Sequence, residues 1–289
     1  MKDDCTVNND IPDLHICSYP PNKQRRIDIF TVDYLSLAPG VWMNDQLINF
    51  YVKYLEDTMS EDSRSQIACL SSNFYNALDR EDRLPVDERN SNLLSSWTRK
   101  YRLWKRGGVS LIILPVIRSY HWVTVVGVLR PKPIIAVLNS LGSGDKMPKE
   151  AGLLRDFLLG ERKEVGDDFS IVVPNVPIQP NSNDCGSFTL KFIEKVIENP
   201  KEFVQRIENR GELQHWFPIK EAGLMRKKLA DLAGGLAKQQ GRSSRVPNIS
   251  FEQVLISSGC FELCILVMRI TSLGVTLISY VRYLYQDHC

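Results

Sequence analysis

Apolar positions along the chain fall into helical and strand periods that together predict an α+β core. Leu47, Ile48, Tyr51, Val52 and Leu55 share one helix face, with Asn44 or Asp45 placed to cap its start. Trp42 stands just outside that period, so spacing does not bury it; a core anchor under the preceding loop is one of two readings left open for it. A short helix is expected around Ser65 to Leu78, and Leu93, Leu94, Trp97 and Tyr101 mark another. Three strand signals follow closely: Val109 to Leu114, the β-branched run His121 to Leu129, and Pro133 to Leu138. The link Arg130-Pro131-Lys132 is short enough to make the last two a hairpin. Strands this uniformly apolar are buried on both faces, so helices should cover the sheet. Helices at Lys149 to Leu159, after Cys185, at Glu202 to Ile207 and at Leu224 to Leu236, with a strand at Phe169 to Val173, complete the core.

The margins read differently. Residues 1–26 are polar, carry Pro12, Pro20 and Pro21, and are expected to form a poorly ordered lead-in, with Ile27 to Leu37 extended after it. The folded domain is placed at residues 27–237, a basic polar linker at 238–247 and a hydrophobic extension at 248–289. Within the extension, Leu263 to Val281 spans 19 residues, apolar apart from Arg269 and several Ser and Thr. Its ten Leu, Ile and Val side chains favour insertion by roughly 3 to 6 kcal/mol, against roughly 2.5 to 3.5 for a central Arg. That balance is marginal for a membrane anchor. It favours an appended helix or strand pair, or sequence from an alternative reading of the gene.

Composition narrows the chemistry. A net charge of +2 over 289 residues gives no argument for nucleic acid as a partner. Seven scattered cysteines without a CxxC pair do not make a disulfide scaffold, and no apolar run near the amino terminus suggests a secretory signal. A reducing compartment, nucleus or cytoplasm, is expected. The four histidines form no ligand pattern with the cysteines, so neither a structural zinc site nor another cofactor is expected.

One stretch carries the candidate chemistry. Val176 to Asn183 is a polar loop with Pro177 and Pro180, and it runs through Asp184 into Cys185 and the periodic apolar positions Phe188, Leu190, Phe192, Ile193 and Val196. Cys185 therefore lies at or just before the first turn of a helix, where exposed N–H groups and the dipole favour a thiolate. The bland alternative is a small buried hydrophobe. Gln179, six residues earlier, is a neutral donor for an oxyanion. Of the four histidines only His121 opens a core strand, and Asn139 closes the neighbouring one. In a hairpin the start of one strand and the end of the next lie side by side, which brings Asn139 within reach of the imidazole.

Trp42-Met43-Asn44-Asp45, His121-Trp122, Asn139-Ser140-Leu141 and Gln179…Asn181…Asp184-Cys185-Gly186 occur in the order found in the Ulp/SENP family of SUMO-specific cysteine proteases. The chain resembles that family from about Ile27 to Phe217, and Val176 to Asn181 with Glu198-Asn199-Pro200 is most similar to the branch acting on poly-SUMO chains. The resemblance implies a papain-like, Ulp/adenain-type fold, with a mixed central sheet flanked by helices and the nucleophile at a helix amino terminus. It implies Cys185 as nucleophile, His121 as base, Gln179 as oxyanion donor and Asn139 as orienter, where most members have Asp. Asp145, in the Gly-rich loop beyond, is an alternative orienter. Trp42 and Trp122 would flank a narrow tunnel for the modifier's Gly-Gly tail, and Asp45 would help hold that tail. The expected partner is SUMO or a related modifier with its conjugates. Two other readings stay open: an acetyltransferase on the same scaffold, and a modifier-binding module without activity, suggested by Asn139. The basic cluster from Arg99 to Arg106 is either a solvated helix end or a landing site for an acidic protein.

Overall fold

Long-range pairing organises this molecule, as seen in a computed structural model that describes residues 12–21, 23–89, 91–105, 107–142, 148–162, 168–209 and 213–251. It also describes the backbone of 255–258, 261–270 and 275–280. In chain order the elements are β1 (His15–Tyr19), β2 (Ile27–Phe30), α1 (Thr31–Leu35), α2 (Asp45–Thr58), α3 (Glu61–Gln66), β3 (Ile67–Cys69), α4 (Ser72–Arg83) and α5 (Ser91–Thr98). Next come β4 (Leu111–Arg118), β5 (His121–Val128), β6 (Ile134–Leu138), α6 (Lys149–Glu161), β7 (Ser170–Val172), α7 (Cys185–Glu198), α8 (Pro200–Glu208), α9 (Ile219–Gly223) and α10 (Met225–Gln239). The backbone of the tail adds β8 (Leu255–Ser258), β9 (Phe261–Ile270) and β10 (Val275–Tyr280). The chain divides into two compact units, residues 48–225 and residues 1–47 with 226–289.

The unit of residues 48–225 is built on a five-stranded mixed sheet ordered β3-β4-β5-β6-β7. β4, β5 and β6 pair antiparallel, while β3 and β7 join the edges in parallel. Phe74 and Leu78 of α4 and Ala151, Leu154 and Leu158 of α6 cluster with Ile112, Leu114, Val125, Ile135 and Val137 of the strands. α7 packs against β5, and the Thr124 hydroxyl donates to the Thr189 carbonyl at 3.2 Å. Burial on both sides explains why β5 and β6 read as continuous apolar runs. Deeper in α7, Glu194 accepts from the Tyr51 hydroxyl and from Lys191, whose ammonium also meets Glu221 at 3.0 Å.

β3 departs from the expectation of one short helix over Ser65 to Leu78. Ile67-Ala68-Cys69 leaves the helical path to pair with Leu111-Ile112-Ile113 of β4. Three residues are too few to set a period, and the partner lies more than forty positions away.

In the other unit, β1 pairs antiparallel with β2, so part of the expected unordered lead-in is a strand. Ile16 and Cys17 are fully buried, a contribution hidden among the polar residues around them. The Gln240 side chain meets the Ser18 backbone as a strand would, accepting from its N–H at 3.0 Å and donating to its carbonyl at 2.9 Å. Ile27 to Leu37 is extended only to Phe30. There the Asp33 carboxylate accepts the Phe30 N–H at 2.8 Å and starts α1. The buried Arg226 guanidinium donates to the carbonyls of Ser36, Ala38 and Val41 at 3.1, 3.1 and 2.8 Å, fixing the segment ahead of Trp42. Asn44 caps α2, its Oδ1 accepting from Leu47 N at 3.2 Å. The tail strands β8, β9 and β10 form an antiparallel sheet with β9 central. Among the described residues no helix is long and apolar enough to cross a membrane.

Candidate functional site

Cys185 is the first residue of α7 and is buried. The loop ahead of it is organised by one side chain. Asn181 Oδ1 accepts the N–H groups of Asn183 and Asp184 at 3.1 and 3.0 Å, while its Nδ2 donates to the Asp184 carboxylate at 2.8 Å. This Asx turn halts the chain and hands it to the helix at a fixed angle. The thiol therefore sits where the first helical N–H groups have no intrahelical acceptor. Burial pushes Cys17 up to about 12, and in β3 it drives Cys69 above the ordinary thiol range, so neither is poised as a thiolate.

His121 opens β5, and Asn139 directly follows the last residue of β6. The hairpin register sets Thr124 opposite Leu138, and the imidazole Nε2 lies 2.8 Å from Asn139 Oδ1. The Leu141 N–H donates to that same oxygen at 2.9 Å. An amide nitrogen turned toward Leu141 would face another donor, its N–H, so the oxygen end faces inward. An amide oxygen only accepts, so Nε2 is the donor in this contact, and in a neutral ring that leaves Nδ1 as the acceptor. A cavity of about 230 Å³ borders this pair, lined also by Arg118 and Glu150, which are ion-paired at 3.2 Å.

Gln179 is buried and held beside the same turn. Its backbone N–H donates to the Ser140 carbonyl at 2.9 Å, and its Oε1 accepts from the Ser140 hydroxyl at 2.6 Å. Its Nε2 donates to the Asn181 carbonyl at 2.5 Å. An amide nitrogen has two hydrogens, and this contact uses one. Ser140 and Asn181 were not given roles on sequence. The signal was present in Asn181, an Asx-turn former before a helix, but Ser140 is legible only through its contact with Gln179.

Trp122, the second residue of β5, is buried at 1% exposure. Trp42 and Asp45 belong to the other unit. Trp42 is 45% exposed, which overturns its reading as a core anchor. Asp45 is exposed at the first turn of α2, where its charge also suits the helix dipole. Asp145, weighed as an orienter, lies outside the described residues.

The C-terminal catalytic domain of the Ulp1 protease family matches residues 41–230. The chain belongs to the Ulp1 protease family. It is similar to the probable ubiquitin-like-specific protease 2A of Arabidopsis thaliana, 27% identical over 76% of this chain and 32% of that protein. It is also similar to ubiquitin-like-specific protease 1 of Saccharomyces cerevisiae, 28% identical over 56% of this chain and 24% of that one. The chain thus spans a third or less of the length of these curated relatives. Among solved structures, one described as a de-sumoylating protease superposes with a TM-score of 0.63 at 22% identity, covering 80% of this chain and 97% of the other. The α+β, papain-like architecture of the Ulp1 family is thus the fold of this chain.

Proposed function

We propose that this chain is a cysteine isopeptidase that releases SUMO, or a related ubiquitin-like modifier, from target lysines by cleaving after the modifier's terminal Gly-Gly. The observation that carries the reading is the hydrogen bond from His121 Nε2 to an Asn139 oxygen fixed by the Leu141 N–H, which leaves Nδ1 as a base. The names of the relatives, ubiquitin-like-specific proteases, support the substrate class. Nucleus or cytoplasm is the setting proposed with it.

The chemistry follows from the roles proposed for these residues. The Cys185 thiol passes its proton to His121 Nδ1, and the thiolate attacks the glycine carbonyl carbon. The resulting oxyanion is met by the spare Gln179 N–H and the backbone N–H at the start of α7. As the tetrahedral adduct collapses, the C–N bond breaks, and His121 returns the proton to the leaving lysine nitrogen. Water, deprotonated by His121, then cleaves the thioester to give the glycine carboxylate, and the thiol regains its proton. Neutral Asn139 orients the ring as in Cys-His-Asn proteases but gives the imidazolium no counter-charge. On the resemblance alone, Trp42, Asp45 and Trp122 are proposed as contacts of the modifier's tail.

The test is capture by SUMO bearing a carboxyl-terminal vinyl sulfone, set against a panel of other modifiers carrying the same group. The wild-type chain is expected to form a covalent adduct and Cys185→Ala none. Absence of any adduct on the wild type would leave only a modifier-binding module.

A further inference from the structure

We infer that Ser140 is a positioning residue for the oxyanion donor: its hydroxyl holds the Gln179 amide with the nitrogen end presented to the reaction. The inference rests on the proposed role of Gln179 and adds a residue that acts through it. Ser140 is 1% exposed and lies on the turn that follows β6, between Asn139, which orients His121, and Leu141, whose N–H fixes Asn139. Two bonds tie it to Gln179, backbone to backbone at 2.9 Å and hydroxyl to Oε1 at 2.6 Å. The second has a chemical consequence. An amide can present either end, and only the nitrogen end donates. A hydroxyl can donate or accept, so it follows the orientation that the Asn181 carbonyl sets; donating to Oε1, it holds the amide there and, by drawing electron density to oxygen, makes the remaining N–H a stronger donor. The Asn181 carbonyl, which only accepts, makes that choice from the other side, taking one Nε2 hydrogen and leaving its twin for the substrate. The geometry therefore places the orienter of the base and the clamp of the oxyanion donor on adjacent residues of one turn. A shift of that turn would disturb both.

Two reactions separate this role from a purely structural one. Hydrolysis of a SUMO carboxyl-terminal aminomethylcoumarin amide passes through a carbonyl oxyanion. Capture by SUMO vinyl sulfone requires the same thiolate and the same docking, but it forms no tetrahedral carbonyl adduct. Ser140→Ala is expected to lower kcat for the amide about tenfold, with KM little changed and the vinyl sulfone capture rate within about twofold of wild type. On a Gln179→Ala background the same change should cost nothing further, because its effect passes through Gln179. Equal slowing of both reactions, or an undiminished loss on the Gln179→Ala background, would overturn the inference. If Gln179→Ala itself leaves hydrolysis intact, the oxyanion role of Gln179 fails instead, a distinct result. Should Ser140→Ala melt well below wild type by circular dichroism, Ser140→Cys keeps the shape with a weak donor, and the same two rates decide.

Discussion

Two turns meet at one end of the β5–β6 hairpin, and they are built on opposite terms. The turn after β6 is dense with side-chain bonds. Asn139 Oδ1 gathers the Leu141 N–H and the imidazole, the Gly142 N–H reaches the Asn139 carbonyl at 3.1 Å, and Gly142 takes φ +105° without a Cβ to resist it. The turn before β5 joins Arg118 to His121 through Ser119 and Tyr120 alone, both in the left-handed region at φ +49° and +63°. A two-residue hairpin calls for that twist, but it favours Asn and Gly in those places. A Tyr there, 78% exposed, carries local strain. One turn carries the oxygen that the proposed base meets; the other joins Arg118 to the strand that His121 opens. Positional accuracy follows the hydrogen bonds, not the nearness to His121 in the chain.

The largest effect should come from Asn139. Asn139→Ala removes the acceptor of Nε2–H and frees the ring to rotate, so kcat/KM is expected to fall about 10- to 100-fold, by analogy with the loss of the carboxylate or carbonyl that orients a metal-bound histidine. Asn139→Asp keeps an oxygen in place for both His121 and Leu141 and adds a negative charge. An opposite charge beside an imidazolium stabilises it, so the ion pair with the thiolate persists to higher pH. kcat/KM should rise severalfold, with the alkaline limb of its pH profile displaced upward. A fall would mean that the site is built around the amide, and the contrast between the two turns would then lie in shape and not charge.

The two turns also differ in what could be read before any coordinates. Asn139 beside His121 followed from hairpin geometry, since strand ends pair wherever a three-residue link joins two apolar runs. Cys185 at a helix start followed from the switch between the Pro-bearing loop and the period from Phe188. Longer-range partnerships stayed hidden. Ser140 looks like any turn serine until Gln179, 39 positions on, is folded against it. β3 exists only because β4 offers an edge, and β1 only because β2 and Gln240 receive it. Each such element has an apolar signal of only two or three residues, too short to establish a repeat, so a distant partner and not the local pattern decides it. The exposed Trp42 fails for a related reason: periodicity says which residues share a face, but a residue outside the period has no face assigned.

Gly142 tests the well-bonded turn through its backbone. A Cβ there would come no nearer than 4.0 Å to Ile178 Cδ1, so steric contact contributes little to the effect of Gly142→Ala. What remains is φ +105°, which L-residues rarely adopt. A destabilisation of about 1 to 3 kcal/mol is expected by denaturant titration. Because the strained residue holds the Leu141 N–H in line, kcat should fall with it. Lost stability with kcat unchanged would show that Asn139 keeps its direction without the turn.

The smallest effect tests the other turn. Asn tolerates the left-handed region through its short polar side chain, so Tyr120→Asn relieves strain in the folded state. The exposed ring at Tyr120 is not part of the buried core that the change would cost. Stability should therefore rise by about 0.5 kcal/mol, on the scale of substitutions matched to their backbone conformation. In a chain of this size that corresponds to about 1 to 2 °C in Tm, measurable by differential scanning calorimetry. Hydrolysis of the SUMO amide should stay within about twofold, since the proposed orienter of the imidazole, Asn139, lies on the other turn. A gain in Tm together with a tenfold loss of kcat/KM would reverse the comparison. The strain at Tyr120 would then be part of how the base meets its substrate, and the turn that looks merely connective would share in the site.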